Sequence, residues 1–197
     1  MVLYGLIILF FAGIALGING ICAATVGVDF AWAAIWTAAG LGIILATDIV
    51  VVCSMRLLPK RVYNPFAKFY QTRPWQTNVC LALGVRRWKD KVPELGKLGG
   101  FRKDHIDNLN PDYLYRFLQE AAFGEAEHWV SVLMSWTIFL IPLPYRLTVG
   151  IPYCVLNIVL NSMSAMIQRY LRPKMIAVYR RQKMKQDRQA ATAEAPN

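Results

Sequence analysis

One of only two histidines in the chain lies in the stretch GEAEHWVS, residues 124 to 131, which runs into the apolar VLMSWTIFLIPLP. Glu125, His128 and Ser131 recur at every third residue, so on a helix they form an oblique ladder of neighbours in hydrogen-bonding reach. A carboxylate beside an imidazole favours the tautomer whose other nitrogen accepts a proton, and histidine's unperturbed proton affinity suits transfer near neutral pH. Read as chemistry, His128 is a general base and Glu125 its orienter. Read as a boundary, Glu125, Glu127 and His128 are solvated residues at the edge of a membrane segment. Ser131 has the hydroxyl of a nucleophile, but it lies deeper in apolar sequence with no strained turn to project it. Packing is the better reading of that serine.

Glu125 and His128 also read as one E-x-x-H metal half-site, but such centres need a second motif and two further carboxylates. The other histidine, His105 in FRKDHID, has no such motif around it. No metal and no cofactor are therefore expected. No glycine-rich phosphate loop opens a helix. Cys22, Cys53, Cys80 and Cys154 have no short paired spacing, which favours packing over a disulfide framework or a zinc ribbon.

The elements that must carry these residues are membrane elements. With 56% hydrophobic residues in 197, the chain is too apolar for an ordinary soluble domain. Val2 to Val28 carries no charge, and Asp48 is the sole charge from Phe30 to Cys53. About 20 apolar residues cross a bilayer core, so two spanning helices are expected. No basic region precedes LYGLIILFFAGIALGI and the second run follows after GVD, which favours a retained hairpin over a cleaved signal. Leu147 to Ile167 is long enough for another span. Trp129 to Ile141 makes only about 20 Å of α-helix, short of a core of about 30 Å, so it either starts earlier or re-enters. On the last span Asn157, Asn161, Ser164, Gln168 and Arg172 are spaced by four, three, four and four, which puts them on one side.

The expected fold is thus an all-α integral membrane protein of about four transmembrane or re-entrant helices, with an interfacial cytoplasmic segment between two hairpins. Residues 1–53 form the first hairpin and 54–110 the interfacial segment. Residues 111–168 carry the catalytic helices, and 169–197 a basic tail. A helix should start at NPD, Asn110 to Asp112, and run to Ile141. Of the 22 Lys and Arg residues, thirteen lie between Arg56 and Arg116 and eight between Arg169 and Arg188. The positive-inside rule then puts both termini and the middle segment in the cytoplasm of a multi-pass cell-membrane protein, with outer turns near Asp29 and Arg146. The net charge of +10 reads as attraction to lipid headgroups, and nucleic acid is not an expected partner.

The stretches RRWKDKVPELG (86–96), GFRKDH (100–105), EAAFGEAEHW (120–129), Asn161 and IQRYLRPK (167–174) occur together in this order. In this the chain resembles the glycosyl-4,4'-diaponeurosporenoate acyltransferase family, membrane enzymes that add the last acyl chain in staphyloxanthin-type carotenoid synthesis. The resemblance covers roughly residues 60 to 180 and departs from it at Ala122 and Phe123, where basic residues are expected. It places Trp88, Lys89, Lys103, Glu120, Glu125, His128, Asn161, Gln168, Arg169 and Arg172 on motif positions. It implies transfer of a fatty acyl group from acyl-CoA or another activated donor to a hydroxyl of a lipid-linked acceptor. A membrane lipid hydrolase using the same Glu-His pair, or a non-catalytic scaffold, is the alternative. On the acyltransferase reading Asn161 and Gln168 would donate to the oxyanion or the acceptor, and Lys89, Lys103, Arg169 and Arg172 would hold donor phosphates.

Overall fold

A computed structural model describes residues 2–27, 29–92, 108–143 and 145–193. Among the described residues there are helices, turns and short connections, and no strand. The α-helices are α1 (Val2–Val26), α2 (Phe30–Arg56), α3 (Pro74–Ala82), α4 (Val85–Trp88), α5 (Pro111–Leu133) and α6 (Tyr145–Ala193). Short 3-10 turns cover Lys60–Tyr63, Lys68–Tyr70 and Lys89–Lys91, and a longer 3-10 stretch covers Met134–Leu140. Among the described residues three helices, α1, α2 and α6, are long and apolar enough to cross a membrane.

The described residues divide into two compact units. The first holds 2–58, 91–92 and 126–165; the second holds 59–90, 108–125 and 166–193. These limits cut α5 and α6 internally and differ from the four segments read from composition.

In the first unit the α1–α2 turn is made by Gly27, whose φ of 74° only glycine adopts freely. Asp29 then caps α2 by accepting from the Trp32 amide at 3.1 Å. Ala33, Ile44, Ile138, Ile141, Tyr145, Val149, Tyr153 and Leu156 form the buried core of this unit. Lipid tails are as apolar as these side chains, so close packing has to hold the helices together. Gly40 supplies such an approach, because a Cβ there would stand 2.7 Å from the Tyr153 ring. Tyr145 Oη donates to the Asp29 carbonyl at 3.5 Å, which puts the α1–α2 turn and the start of α6 at one end of the unit.

An α-helix uninterrupted to Ile141 is expected from the sequence, but α5 ends at Leu133 and gives way to 3-10 geometry. The Ser131 carbonyl explains the change. It accepts from Ser135 Oγ and from Asn157 Nδ2, each at 3.2 Å, so side chains compete for a carbonyl of the α-helical ladder. Thr137 Oγ1 lies 2.9 Å from Thr47 Oγ1 of α2, which docks the tightened stretch.

In the second unit proline and glycine divide the chain into short pieces, and α3 and α4 are joined through Gly84 with a φ of 65°. Cys80, Val85 and Tyr170 form a small core with Trp88, Met166, Ile167 and Leu171 packed against it. Phe66, Tyr115 and Tyr179 make a mutual aromatic cluster with centroids 5.7–6.3 Å apart. The start of α5 follows its sequence signal, with Asn110 Oδ1 accepting from the Asp112 amide at 2.8 Å and Pro111 opening the helix. The basic residues after Arg169 continue α6 as far as Ala193, supported by helix formers and by the Lys183–Asp187 pair at 3.2 Å.

Candidate active site

In the first unit, His128 Nδ1 lies 2.8 Å from Asn161 Oδ1. The amide can face only one way. Asn161 Nδ2 donates to the Asn157 carbonyl at 3.2 Å and to Asn157 Oδ1 at 2.8 Å, and a backbone carbonyl only accepts. Asn157 Nδ2 donates in turn to the Ser131 carbonyl and, at 3.1 Å, to Ser135 Oγ. Asn161 Oδ1 therefore accepts a hydrogen from His128 Nδ1, which selects, for the neutral ring, the tautomer whose lone pair is on Nε2. Such a nitrogen takes a proton from a hydroxyl. Asn157 and Asn161 are buried, whereas the His128 side chain is 23% exposed. Glu127 Oε2 stands 3.7 Å from Nδ1.

Asp48 of α2 lies against the side chains of Ser131, Asn157 and Asn161. Its Oδ1, like Ser131 Oγ, is buried with no hydrogen-bond partner among the described residues. Neither Asp48 nor Asn157 was legible as part of the histidine's surroundings. The available signals were the lone charge in an apolar helix and the polar stripe on α6.

The second unit holds Glu125, and its arrangement differs from expectation. Glu125 is fully buried, with Oε1 accepting from Arg169 Nε and Oε2 from Arg172 Nη1. Arg172 also donates to the carbonyls of Tyr70 at 2.9 Å and Ala121 at 3.3 Å, and its guanidinium stands 5.2 Å from the Tyr70 ring centroid. Arg169 donates to the Phe69 carbonyl at 3.0 Å. Glu125 is expected to orient the imidazole, yet both its oxygens are held by arginines, and Asn161 bonds the ring. Arg169 and Arg172 are expected to hold phosphates, yet they neutralise Glu125. At 1% exposure Arg172 keeps no face for a substrate. Buried charge demands such pairing, because a lone ion in this surrounding would be far costlier than the pair. Burial, and after it the charge of Glu125, pushes the Tyr70 phenol above its usual range.

Of the other expected site residues, Trp88 donates from Nε1 to the Leu83 carbonyl at 3.0 Å and packs on the small core. Lys89 pairs with its exposed neighbour Asp90. Glu120 and Gln168 are half-buried. Lys103 lies outside the described residues, as does His105. All four cysteines are free thiols, and burial raises Cys80 above the ordinary thiol range. Among the described residues no three His, Cys, Asp or Glu side chains gather as a metal ion would require.

Comparison with protein families matches residues 66–181, more than half of the chain, to a family described as glycosyl-4,4'-diaponeurosporenoate acyltransferase. The matched span takes in His128, Asn157 and Asn161, together with the Glu125–Arg169–Arg172 cluster, and begins after Asp48. No curated protein and no solved structure matches the chain.

Proposed function

The chain belongs to the glycosyl-4,4'-diaponeurosporenoate acyltransferase family, and on that premise we propose that it transfers a fatty acyl group from an activated donor to a hydroxyl of a membrane glycolipid, with His128 as general base. The observation that carries this reading is the imidazole held through Nδ1 by Asn161, which leaves Nε2 to accept a proton. With a thioester donor such as acyl-CoA, the acceptor oxygen attacks the acyl carbonyl while its proton passes to Nε2. The tetrahedral oxyanion then collapses, the carbon–sulfur bond breaks, and the thiol leaves with the proton that His128 carried. No acyl-enzyme is required, and Ser131 is assigned to packing.

Asn161 Nδ2 already donates to the carbonyl and to Oδ1 of Asn157, so we assign Asn161 to orienting His128 and not to the oxyanion. Glu125, Arg169 and Arg172 are assigned to holding the second unit together. Trp88, Lys89, Lys103, Glu120 and Gln168 stay our choice for contacts with donor and acceptor, supported by the family match that covers them.

We further propose a multi-pass cell-membrane protein with both termini cytoplasmic, in which residues 126–141 make a fourth, short crossing and the segment after α2 lies at the interface. The shared end of Asp29 and Tyr145 supports an even number of passes.

Lipid extracts of cells with and without the protein test the activity. A transferase yields a heavier glycolipid, a hydrolase yields released fatty acid, and a scaffold changes neither. His128→Ala should lower transfer by about 10²–10⁴-fold, the usual worth of a general base, with membrane insertion retained. Near-normal turnover by that variant would remove His128 from the mechanism.

A further inference from the structure

We infer that Asn157 is a positioning residue for His128: it is the second amide of a one-way hydrogen-bond relay that ends on the Ser131 carbonyl and sets which ring nitrogen carries the hydrogen. This role rests on the reading of His128 as general base. All members lie in the first unit, with His128 and Ser131 on α5, Ser135 on the 3-10 stretch after it, and the two asparagines on α6.

The direction of the relay is set at its far end. Ser131 lies in the last turn of α5, where backbone carbonyls run out of helical partners, and a carbonyl can only accept. This one takes the Ser135 hydroxyl hydrogen and an Asn157 amide hydrogen, each at 3.2 Å. With its own hydrogen spent there, Ser135 Oγ accepts from the same Asn157 nitrogen at 3.1 Å. Two acceptors on one side fix the Asn157 amide. Its Oδ1 therefore faces the other way, where it accepts from Asn161 Nδ2 at 2.8 Å. That in turn directs the Asn161 oxygen to His128 Nδ1, also at 2.8 Å. Each group donates toward Ser131 and accepts from the side of the ring, and bonds aligned in this way strengthen one another in a dry interior. Asn157 and Asn161 are 1% and 5% exposed, which keeps bulk water from competing.

An amide buried in a spanning helix is costly unless its polar atoms are matched, and Asn157 uses both ends of its amide. Asn161 has a second hold, the Asn157 backbone carbonyl at 3.2 Å, which survives any change of the Asn157 side chain. The control is therefore graded. Without the side chain, Asn161 loses its shorter acceptor and its amide turns more readily, presenting Nδ2 to the ring. An imidazole nitrogen that faces a donor carries the lone pair, so the hydrogen moves to Nε2, which then cannot take the acceptor's proton. Glu127 Oε2, at 3.7 Å from Nδ1, is too far to hold the Nδ1 hydrogen in place of Asn161.

The test uses the full chain in lipid nanodiscs, labelled with ¹⁵N-histidine and carrying His105→Gln so that His128 is the only ring observed, at a pH where that ring is neutral. The ¹⁵N shifts of the two ring nitrogens give the ratio of the Nδ1–H to the Nε2–H tautomer. The parent should hold its hydrogen on Nδ1. Asn157→Leu should lower the ratio about fivefold, the worth of one ordinary hydrogen bond, as should the smaller Asn157→Ala. Asn157→Asp keeps an oxygen toward Asn161 and should stay close to the parent. In an Asn161→Leu background, Asn157→Leu should change the ratio no further, because its effect passes through Asn161. With an acyl-CoA and extracted glycolipid, kcat of Asn157→Leu should fall about fivefold while KM stays within about twofold, since proton transfer is affected and substrate binding is not. A parent ring with its hydrogen on Nε2 overturns the inference without any variant. So does an unchanged ratio in both Asn157→Leu and Asn157→Ala, and so does an equal shift with and without Asn161, which would make Asn157 a clamp between α5 and α6. A shift that depends on Asn161, in a protein whose parent makes no product, supports the relay and sinks acyl transfer instead.

Discussion

At the residue scale, two polar groups on successive turns of α5 have separate fates. His128 takes its tautomer from an asparagine whose own orientation is pinned by a backbone carbonyl, while Glu125 neutralises two arginines. Removing one member of a buried ion cluster strands the others, at a cost of about 3–5 kcal/mol. Arg172→Ala should therefore lower thermal stability strongly, and Arg169→Ala less, since the Arg169 side chain is 14% exposed while that of Arg172 is fully buried. Melting of the purified variants in detergent checks the order. If Arg172→Ala melts like the parent but loses acyl transfer, Arg172 contacts substrate and our structural assignment is wrong.

At the element scale, the first unit depends on how closely α2 approaches α6. A Cβ on Gly40 would meet the buried Tyr153 ring at 2.7 Å and Val149 at 3.0 Å, whereas a Cβ on Gly42, on the same helix, meets nothing within 4 Å. Overpacking costs about 1–3 kcal/mol, and replacing an unhindered helical glycine with alanine gains up to about 1 kcal/mol. Gly40→Ala should then lower the melting temperature while Gly42→Ala leaves it unchanged or raises it. Equal effects would mean that the α2–α6 approach is looser than the geometry implies.

At the scale of the whole molecule, the proposed orientation makes a prediction of its own. Leu143 and Gln189 are both exposed, and the proposed topology puts them on opposite sides of the membrane. In a chain whose exposed Cys53 is replaced by serine, a membrane-impermeant thiol reagent should label Leu143→Cys on intact cells. It should reach Gln189→Cys only after lysis. Labelling of Gln189→Cys but not of Leu143→Cys from outside would require an odd number of crossings and leave residues 126–141 as a re-entrant segment.

The sequence by itself determined the helical class, the apolar helices, the α1–α2 turn and the start of α5, because each depends on local properties. An uncharged run, a glycine beside a capping aspartate, or an Asn-Pro-Asp triplet acts on its own few residues. It also supplied the family, through short motifs in a fixed order, and it placed His128 on a polar ladder of one helix and Asn161 on the polar stripe of another. Which partner each polar group takes was decided only by tertiary structure. Glu125 and His128 have the right spacing for a bond along one helix. Yet a buried carboxylate gains more from the two guanidiniums of Arg169 and Arg172, brought in from more than forty residues away, than from a neutral ring. The 3-10 turn after Leu133 has the same kind of origin, since the Asn157 amide that takes the Ser131 carbonyl is 26 residues distant. Asp48 reads in sequence as a lone charge in an apolar helix. Only the packing of α2 against the two asparagines of α6 puts it beside the relay that holds His128.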